Sequence, residues 1–293
     1  MDGIPGDAGE RFERDGFLVL EGFAAPEACD ALVARAQALV AGFDPGGVAS
    51  VFSSVNQDAT FDEYLLGSGG TVRFFFEEEA FDAGGRLRQP KELSINKIGH
   101  ALHDLDPAFD RFSRTPRLAA LAGALGLAEP LLVQSMYIFK QPRIGGEVVA
   151  HQDATYLFTE PQSCIGFWFA LEDATRDNGC LWAPPGGHRG PLRRRFVRRP
   201  EGGPEGGPGG GVEHVTVDPA PWPQDGPGGG FVPLEAPKGT LVALHGLLPH
   251  RSGPNRSERS RHAYTLHAVD GRARYAAANW LQRGPELPFR GFG

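Results

Sequence analysis

Five short apolar stretches recur after residue 130, each cut off by a glycine- or proline-rich turn. They are PLLVQSMYIF (130–139), CIGFWFALE (164–172), GCLWAPP (179–185), GTLVALHG (239–246) and RHAYTLHAV (261–269). Strands of this length and spacing predict a closed or sandwiched all-β core rather than βαβ units. The first third reads differently. DGFLVLEGF (15–23) and TVRFFFEEEAFD (71–82) are β-prone, while APEACDALVARAQALVAGF (25–43) and SRTPRLAALAGALGL (113–127) are helical. In the first helix Pro26 stands at the start, and Leu32, Ala36 and Leu39 share one face. Helices packed outside a β core account for this region.

The expected organisation is a single domain over 1–293. Residues 1–129 would form its support, and 130–270 the core, interrupted by a long mobile Gly/Pro-rich loop at 200–230. No repeat of solenoid period is present. A net charge of −7 argues against a nucleic-acid or anionic-membrane surface. No apolar run approaches the roughly 20 residues of a membrane helix. The polar, acidic N-terminus lacks a secretion signal, and Cys29, Cys164 and Cys180 have no zinc spacing. Cytoplasmic is the expected location.

Within GGEVVAHQDATYLF (145–158), His151 and Asp153 lie two positions apart in an otherwise apolar run. Positions i and i+2 of a strand share a face. Both groups would therefore enter one space suited to a cation, with Gln152 turned away. A metal site needs a third ligand. Of the nine histidines, His188 and His214 sit in or beside glycine-rich turns. His100 and His103 read as a solvated or capping helical face. His262 and His267 are an odd number apart, so they face opposite sides of one strand.

His245 and His250 remain. His250 is followed by Ser252, Asn255 and, eleven residues on, Arg261; His245 has no such downstream partners. If 248–252 and 261–269 are neighbouring antiparallel strands, Arg261 lies one strand over from His250 and can enter the same cavity. Two histidines and one carboxylate make the facial triad of non-haem Fe(II) oxygenases, with three positions open. A guanidinium beyond the metal suits a dicarboxylate cosubstrate.

These residues stand within segments that run nearly end to end: DGFLVLEGF, VRFFFE, SINKIGHALH, VQSMYIFKQP, the HQDA stretch, NGCLW, and the closing NWLQ. With them the chain resembles the phytanoyl-CoA dioxygenase family of Fe(II)/2-oxoglutarate oxygenases. The resemblance implies a double-stranded β-helix (jelly roll) from about residue 130. It implies iron held by His151, Asp153 and His250, with 2-oxoglutarate contacted by Lys97, Met136, the His151–Gln152–Asp153 stretch, Trp168, Ser252 and Arg261. It also implies O2-dependent hydroxylation of an aliphatic C–H, releasing succinate and CO2. The substrate would be a small molecule or an acyl thioester. An aspartate at 153 argues against halogenation, because related halogenases place a small residue there.

Two other functions compete for the same residues. One is a low-turnover sensor of this fold, which would have no need of open metal positions. The other is a cupin-type metalloenzyme without 2-oxoglutarate, against which Arg261 speaks. The run LRRRFVRRP brings Arg193, Arg194, Arg195, Arg198 and Arg199 together. Such a run is ordinarily a solvated face; its functional reading is a phosphate or CoA contact at the cavity mouth.

Overall fold

A computed structural model describes residues 3–46, 50–52, 54, 63–199, 211–226 and 230–293. Its strands are β1 (Phe17–Leu20), β2 (Val51–Phe52), β3 (Val72–Glu77), β4 (Ile95–His100), β5 (Pro130–Ile138), β6 (Val148–His151), β7 (Thr159–Glu160) and β8 (Ile165–Ala170). They continue with β9 (Leu181–Ala183), β10 (Arg194–Arg198), β11 (Val212–Thr216), β12 (Val232–Leu234), β13 (Leu241–His245), β14 (His250–Ser252), β15 (Ala263–Asp270) and β16 (Arg274–Tyr275). The helices are α1 (Ala8–Asp15), α2 (Pro26–Gly42), α3 (Glu63–Leu66), α4 (Leu102–Leu105), α5 (Pro107–Ser113) and α6 (Pro116–Ala124).

Two sheets carry the fold. The larger has the order β1-β13-β8-β15-β5-β4-β3-β2, and the smaller β12-β9-β14-β6. From β5 onward the chain alternates between them: β5 large, β6 small, β8 large, β9 and β12 small, β13 large, β14 small, β15 large. This alternation is the double-stranded β-helix expected from the sequence. The first third gives more than helical support, because β1, β2, β3 and β4 extend the large sheet at both edges. Part of the expected 200–230 loop is also ordered. β11 pairs antiparallel with β10, Phe196 opposite His214. Residues 200–210 and 227–229 lie outside the described residues.

Strand alternation divides the large sheet into two working faces. On β15, Tyr264 and Leu266 point to the helices, where they join Phe167 and Phe169 of β8, Leu32 and Ala36 of α2, Phe109 of α5 and Leu118 of α6 in the main core. Burying each large apolar side chain contributes about 1.5–3 kcal/mol. On the other face Thr265 stands in register with Met136 on one side and Trp168 on the other, all turned toward the small sheet. The helices start where capping chemistry allows. Asp106 accepts from the Ala108 and Phe109 amides with Pro107 at the first helical position, and Thr115 accepts from the Leu118 amide before Pro116.

One ionic cluster ties distant parts of the chain. The Asp104 carboxylate is fully buried and meets His103 at 3.0 Å, Arg114 at 2.6 Å, Arg290 at 2.8 Å and Arg283. Burial pushes its carboxyl up, but His103 and the arginines outweigh that and hold it far below the usual range. His103 and His100 are therefore core residues rather than the solvated or capping face expected of them. His100 ends β4 and takes a 2.7 Å hydrogen bond with Ser68.

Candidate active site

The cavity between the sheets is lined by β4, β5, β8 and β15 on one side and by β6, β9 and β14 on the other. About 180 Å³ is open to the centres of water-sized molecules. One water needs roughly 10–15 Å³ in that measure, so there is space for a compact ligand together with part of a second.

At one point of this cavity three ligand atoms converge. β6 ends at His151, Gln152 remains extended, and Asp153 opens a single 3₁₀ turn, so the same-face relation of positions 151 and 153 survives the end of the strand. His250 opens β14 and stands opposite His151 in register. One ligand atom from each of His151, Asp153 and His250 lies within 4.8 Å of the others. Asp153 Oδ1 is 3.7 Å from His151 Nε2 and 3.6 Å from His250 Nε2. Each imidazole directs Nδ1 at a backbone carbonyl, His151 at Val149 (2.9 Å) and His250 at Leu248 (3.1 Å). Only an Nδ1–H can satisfy those carbonyls, which leaves both Nε2 atoms as acceptors aimed at the shared point. Burial pushes His151 down to about 4, so it is a neutral ligand near pH 7. Asp153 is raised by burial but lowered more by His250 and His267, leaving its carboxyl well below the usual range. These donors fit a divalent metal of the non-haem iron type.

The odd spacing of His262 and His267 implies that they face opposite ways. They do: His262 binds the Tyr137 hydroxyl on the helix side, whereas His267 Nε2 lies 3.3 Å from Asp153 Oδ2 in the cavity. His267 thus grips the outer carboxylate oxygen and leaves Oδ1 to the other two histidines. Space for this contact exists because Gly166, opposite His267, has no side chain. A Cβ there would sit 2.7 Å from Asp153 Oδ2. The signal was present as an inward-facing histidine on β15, but its partner follows a strand of the other sheet. His245 lies elsewhere, against Phe12 and His188.

Arg261 corrects one geometric expectation. β14 pairs with β6 and β9, whereas β15 pairs with β5 and β8, so the two segments belong to facing sheets. Arg261 precedes β15 and enters the cavity from the sheet opposite His250. It is 2% exposed; Nε donates to the Gly179 carbonyl at 3.1 Å, and the guanidinium carbon lies 5.4 Å from the centre of the Trp168 ring. Its Nη1 has no hydrogen-bond partner among the described residues. A buried cationic donor without an acceptor fits a ligand carboxylate. Burial lowers the guanidinium to about 10, so it remains charged near neutrality.

Lys97, Met136, Trp168 and Ser252 also line the cavity. The Lys97 ammonium lies 3.2 Å from the centre of the Phe52 ring, and burial drives its pKa well down. Gln152 does not line the cavity. Its amide donates to the Pro191 and Leu247 carbonyls and accepts from the Arg193 amide, so a side-chain contact to cosubstrate is not available to it. Lys140, which no spacing in the sequence marks out, lines the cavity near Ser252, its ammonium donating to the Ser252 hydroxyl at 2.7 Å.

The basic run is mostly spent on structure. Arg193 pairs with Asp218, Arg195 stacks on Phe158, Arg198 donates to the Trp280 carbonyl, and Arg199 faces Glu213. The Arg194 guanidinium makes no ion pair or hydrogen bond among the described residues. It lines an outer recess with Ser54, Tyr156, His214 and Trp222 that reaches His151.

Comparison with known proteins agrees with this geometry. The family model described as phytanoyl-CoA dioxygenase (PhyH) matches residues 12–263. A "Phytanoyl-CoA dioxygenase" of Arabidopsis thaliana is 47% identical over 274 residues, covering 93% of this chain and 91% of the relative. "Phytanoyl-CoA dioxygenase domain-containing protein 1" of Bos taurus is 45% identical, covering 96% of this chain and 95% of the relative. Among solved structures, the epimerase SnoN in complex with Fe3+, alpha ketoglutarate and nogalamycin RO superposes with a TM-score of 0.62 at 18% identity, over 96% of this chain and 90% of that one. AviO1 from Streptomyces viridochromogenes Tue57 gives a TM-score of 0.59 at 22% identity, over 95% and 99%. At those identities the two structures speak to the shared fold. With its sequence matched across that span and its histidines and aspartate gathered in a double-stranded β-helix, the chain belongs to the phytanoyl-CoA dioxygenase (PhyH) family.

Proposed function

We propose that this protein is an Fe(II)- and 2-oxoglutarate-dependent dioxygenase that hydroxylates an aliphatic C–H of a small-molecule or acyl substrate. The observation that carries the reading is the unpartnered, buried Arg261 Nη1 in the same cavity as the His151–Asp153–His250 group. Iron, 2-oxoglutarate and O2 bound there supply oxidising chemistry that releases succinate and CO2. This chain's residues do the holding. His151, Asp153 and His250 bind the metal, and Arg261 with Ser252 takes the distal carboxylate. Met136 and Trp168 shield the cosubstrate from water. The substrate enters past His151 from the outer recess, where Arg194 is placed to meet a polar or anionic end.

The test is anaerobic calorimetry of 2-oxoglutarate with Mn(II) in place of iron, followed by succinate assays against acyl-CoAs, free acids and small metabolites. Removing one partner of a desolvated charge pair costs about 2–5 kcal/mol, a factor of roughly thirty to several thousand. Arg261→Ala should weaken 2-oxoglutarate by that range and leave Mn(II) binding nearly unchanged. Lys97→Ala should cost less, since a flexible ammonium lacks the fork of a guanidinium. Wild-type 2-oxoglutarate affinity in the Arg261 variant would remove the main support for the cosubstrate.

A further inference from the structure

Lys140 stands where a lysine is costly to keep. It is 1% exposed and its φ is +42°, a backbone region that non-glycine residues seldom enter. The chain fixes it there from several sides. Its carbonyl accepts from the Asn255 amide group at 2.9 Å and from the Arg261 amide at 3.3 Å. Its ammonium donates to the Gly146 carbonyl at 2.6 Å and to Ser252 Oγ at 2.7 Å. Gly179 passes so close that a Cβ on it would lie 2.7 Å from Lys140 Cε, and the carbonyl of that same glycine holds Arg261.

The direction of the Ser252 hydrogen bond matters. An ammonium has three donors and no acceptor, so Ser252 Oγ can only accept from it. The serine's own proton must therefore point elsewhere, and it has no acceptor among the described residues. The same holds for the third ammonium N–H, left over beyond the bonds to Gly146 and Ser252, and for Arg261 Nη1. Three groups lining one cavity thus offer donors that no acceptor among the described residues takes up. A carboxylate offers only acceptors, about four of them, and would satisfy all three.

We infer that Lys140 is a further anchor of the cosubstrate's distal carboxylate, orienting Ser252 as a donor, and that cosubstrate binding takes up a proton at Lys140. This rests on the 2-oxoglutarate reading above. Burial first, then Arg261, lowers Lys140 to about 7, opposed by Glu77 and Glu147, the other charged groups that bear on it. The sign follows. Below that pH the ammonium is already formed; above it, a bound carboxylate must restore the proton. Affinity is therefore full on the acid side and falls as pH rises through about 7, approaching tenfold per pH unit until the raised pKa of the complex is reached.

The experiment is calorimetry on Mn(II)-loaded full-length protein without oxygen, between about pH 6 and about pH 8.5, in buffers of different ionisation enthalpy. Two probes are compared: 2-oxoglutarate, and pyruvate, which lacks the distal carboxylate. Wild-type protein should bind 2-oxoglutarate about tenfold or more weaker at the alkaline end, with proton uptake near neutrality and none for pyruvate. Lys140→Gln should weaken 2-oxoglutarate at the acid end, flatten its profile and leave pyruvate unchanged. Ser252→Ala should weaken 2-oxoglutarate but keep the slope, and it serves if Lys140→Gln does not fold. A flat wild-type profile, equal proton uptake for both probes, or equal loss of both in Lys140→Gln overturns the inference. Wild-type protein that binds Mn(II) but not 2-oxoglutarate overturns the cosubstrate reading itself.

Discussion

Asp153 receives its orientation from a residue that is not part of the metal-ligand group. His267 holds one carboxylate oxygen and Gly166 leaves the room for it. Loss of an outer contact of this kind commonly costs about 10–100-fold in metal affinity. His267→Leu is expected to weaken Mn(II) by that amount, read by electron paramagnetic resonance titration, with the fold intact by circular dichroism. Gly166→Ala should act in the same direction, because its new methyl must displace either the carboxylate or the imidazole. An unaltered Mn(II) affinity in both variants would mean that Asp153 needs no such support. His151 and Asp153 were legible in the sequence, since spacing along one strand determines which side chains share a face, whereas His250 was marked out by the Ser252 and Arg261 that follow it. His267 was not, since its role depends on a contact across the cavity that no local spacing records.

β15 shows what an element can reveal and what it hides. Its alternation separates Tyr264 and Leu266, packed on helices, from Thr265 and His267, turned to the cavity. Leu266→Ala should therefore cost about 2–5 kcal/mol of stability while leaving Mn(II) affinity within experimental error. Urea unfolding and metal titration of the same sample check both halves. A large loss of metal affinity would show that the two faces are not separable. Strand character was assigned correctly to the apolar stretches at 130–139, 164–172, 179–185, 239–246 and 261–269, yet their pattern could not assign partners. Pairing is non-local, so Arg261 was placed one strand from His250 when the two segments lie in opposite sheets. The same limit concealed the recruitment of β1 through β4 into the large sheet. β11 was hidden for a different reason: the glycine and proline around it lowered the apparent strand signal of VEHVT.

For the whole molecule, metal and fold are linked. A ligand that binds only the native state adds about 2.7 kcal/mol at a hundred times its Kd. Mn(II) should raise the melting temperature of the wild type and leave Asp153→Ala unmoved; an equal rise in both would place the ion elsewhere. The Asp104 cluster bears on the molecule at the same scale. Its contacts to Arg283 and Arg290 span 179 and 186 residues, and β1 finds its partner only in β13. During synthesis at about 5–20 residues per second, Asp104 waits roughly ten to forty seconds for its last cations. Until β15 has been made, α2 has no completed sheet on which to bury Leu32, Ala36 and Val40. The N-terminal third therefore emerges first and settles last, and a change that weakens it will reduce the yield of soluble chain through exposure to aggregation while the ribosome is still working.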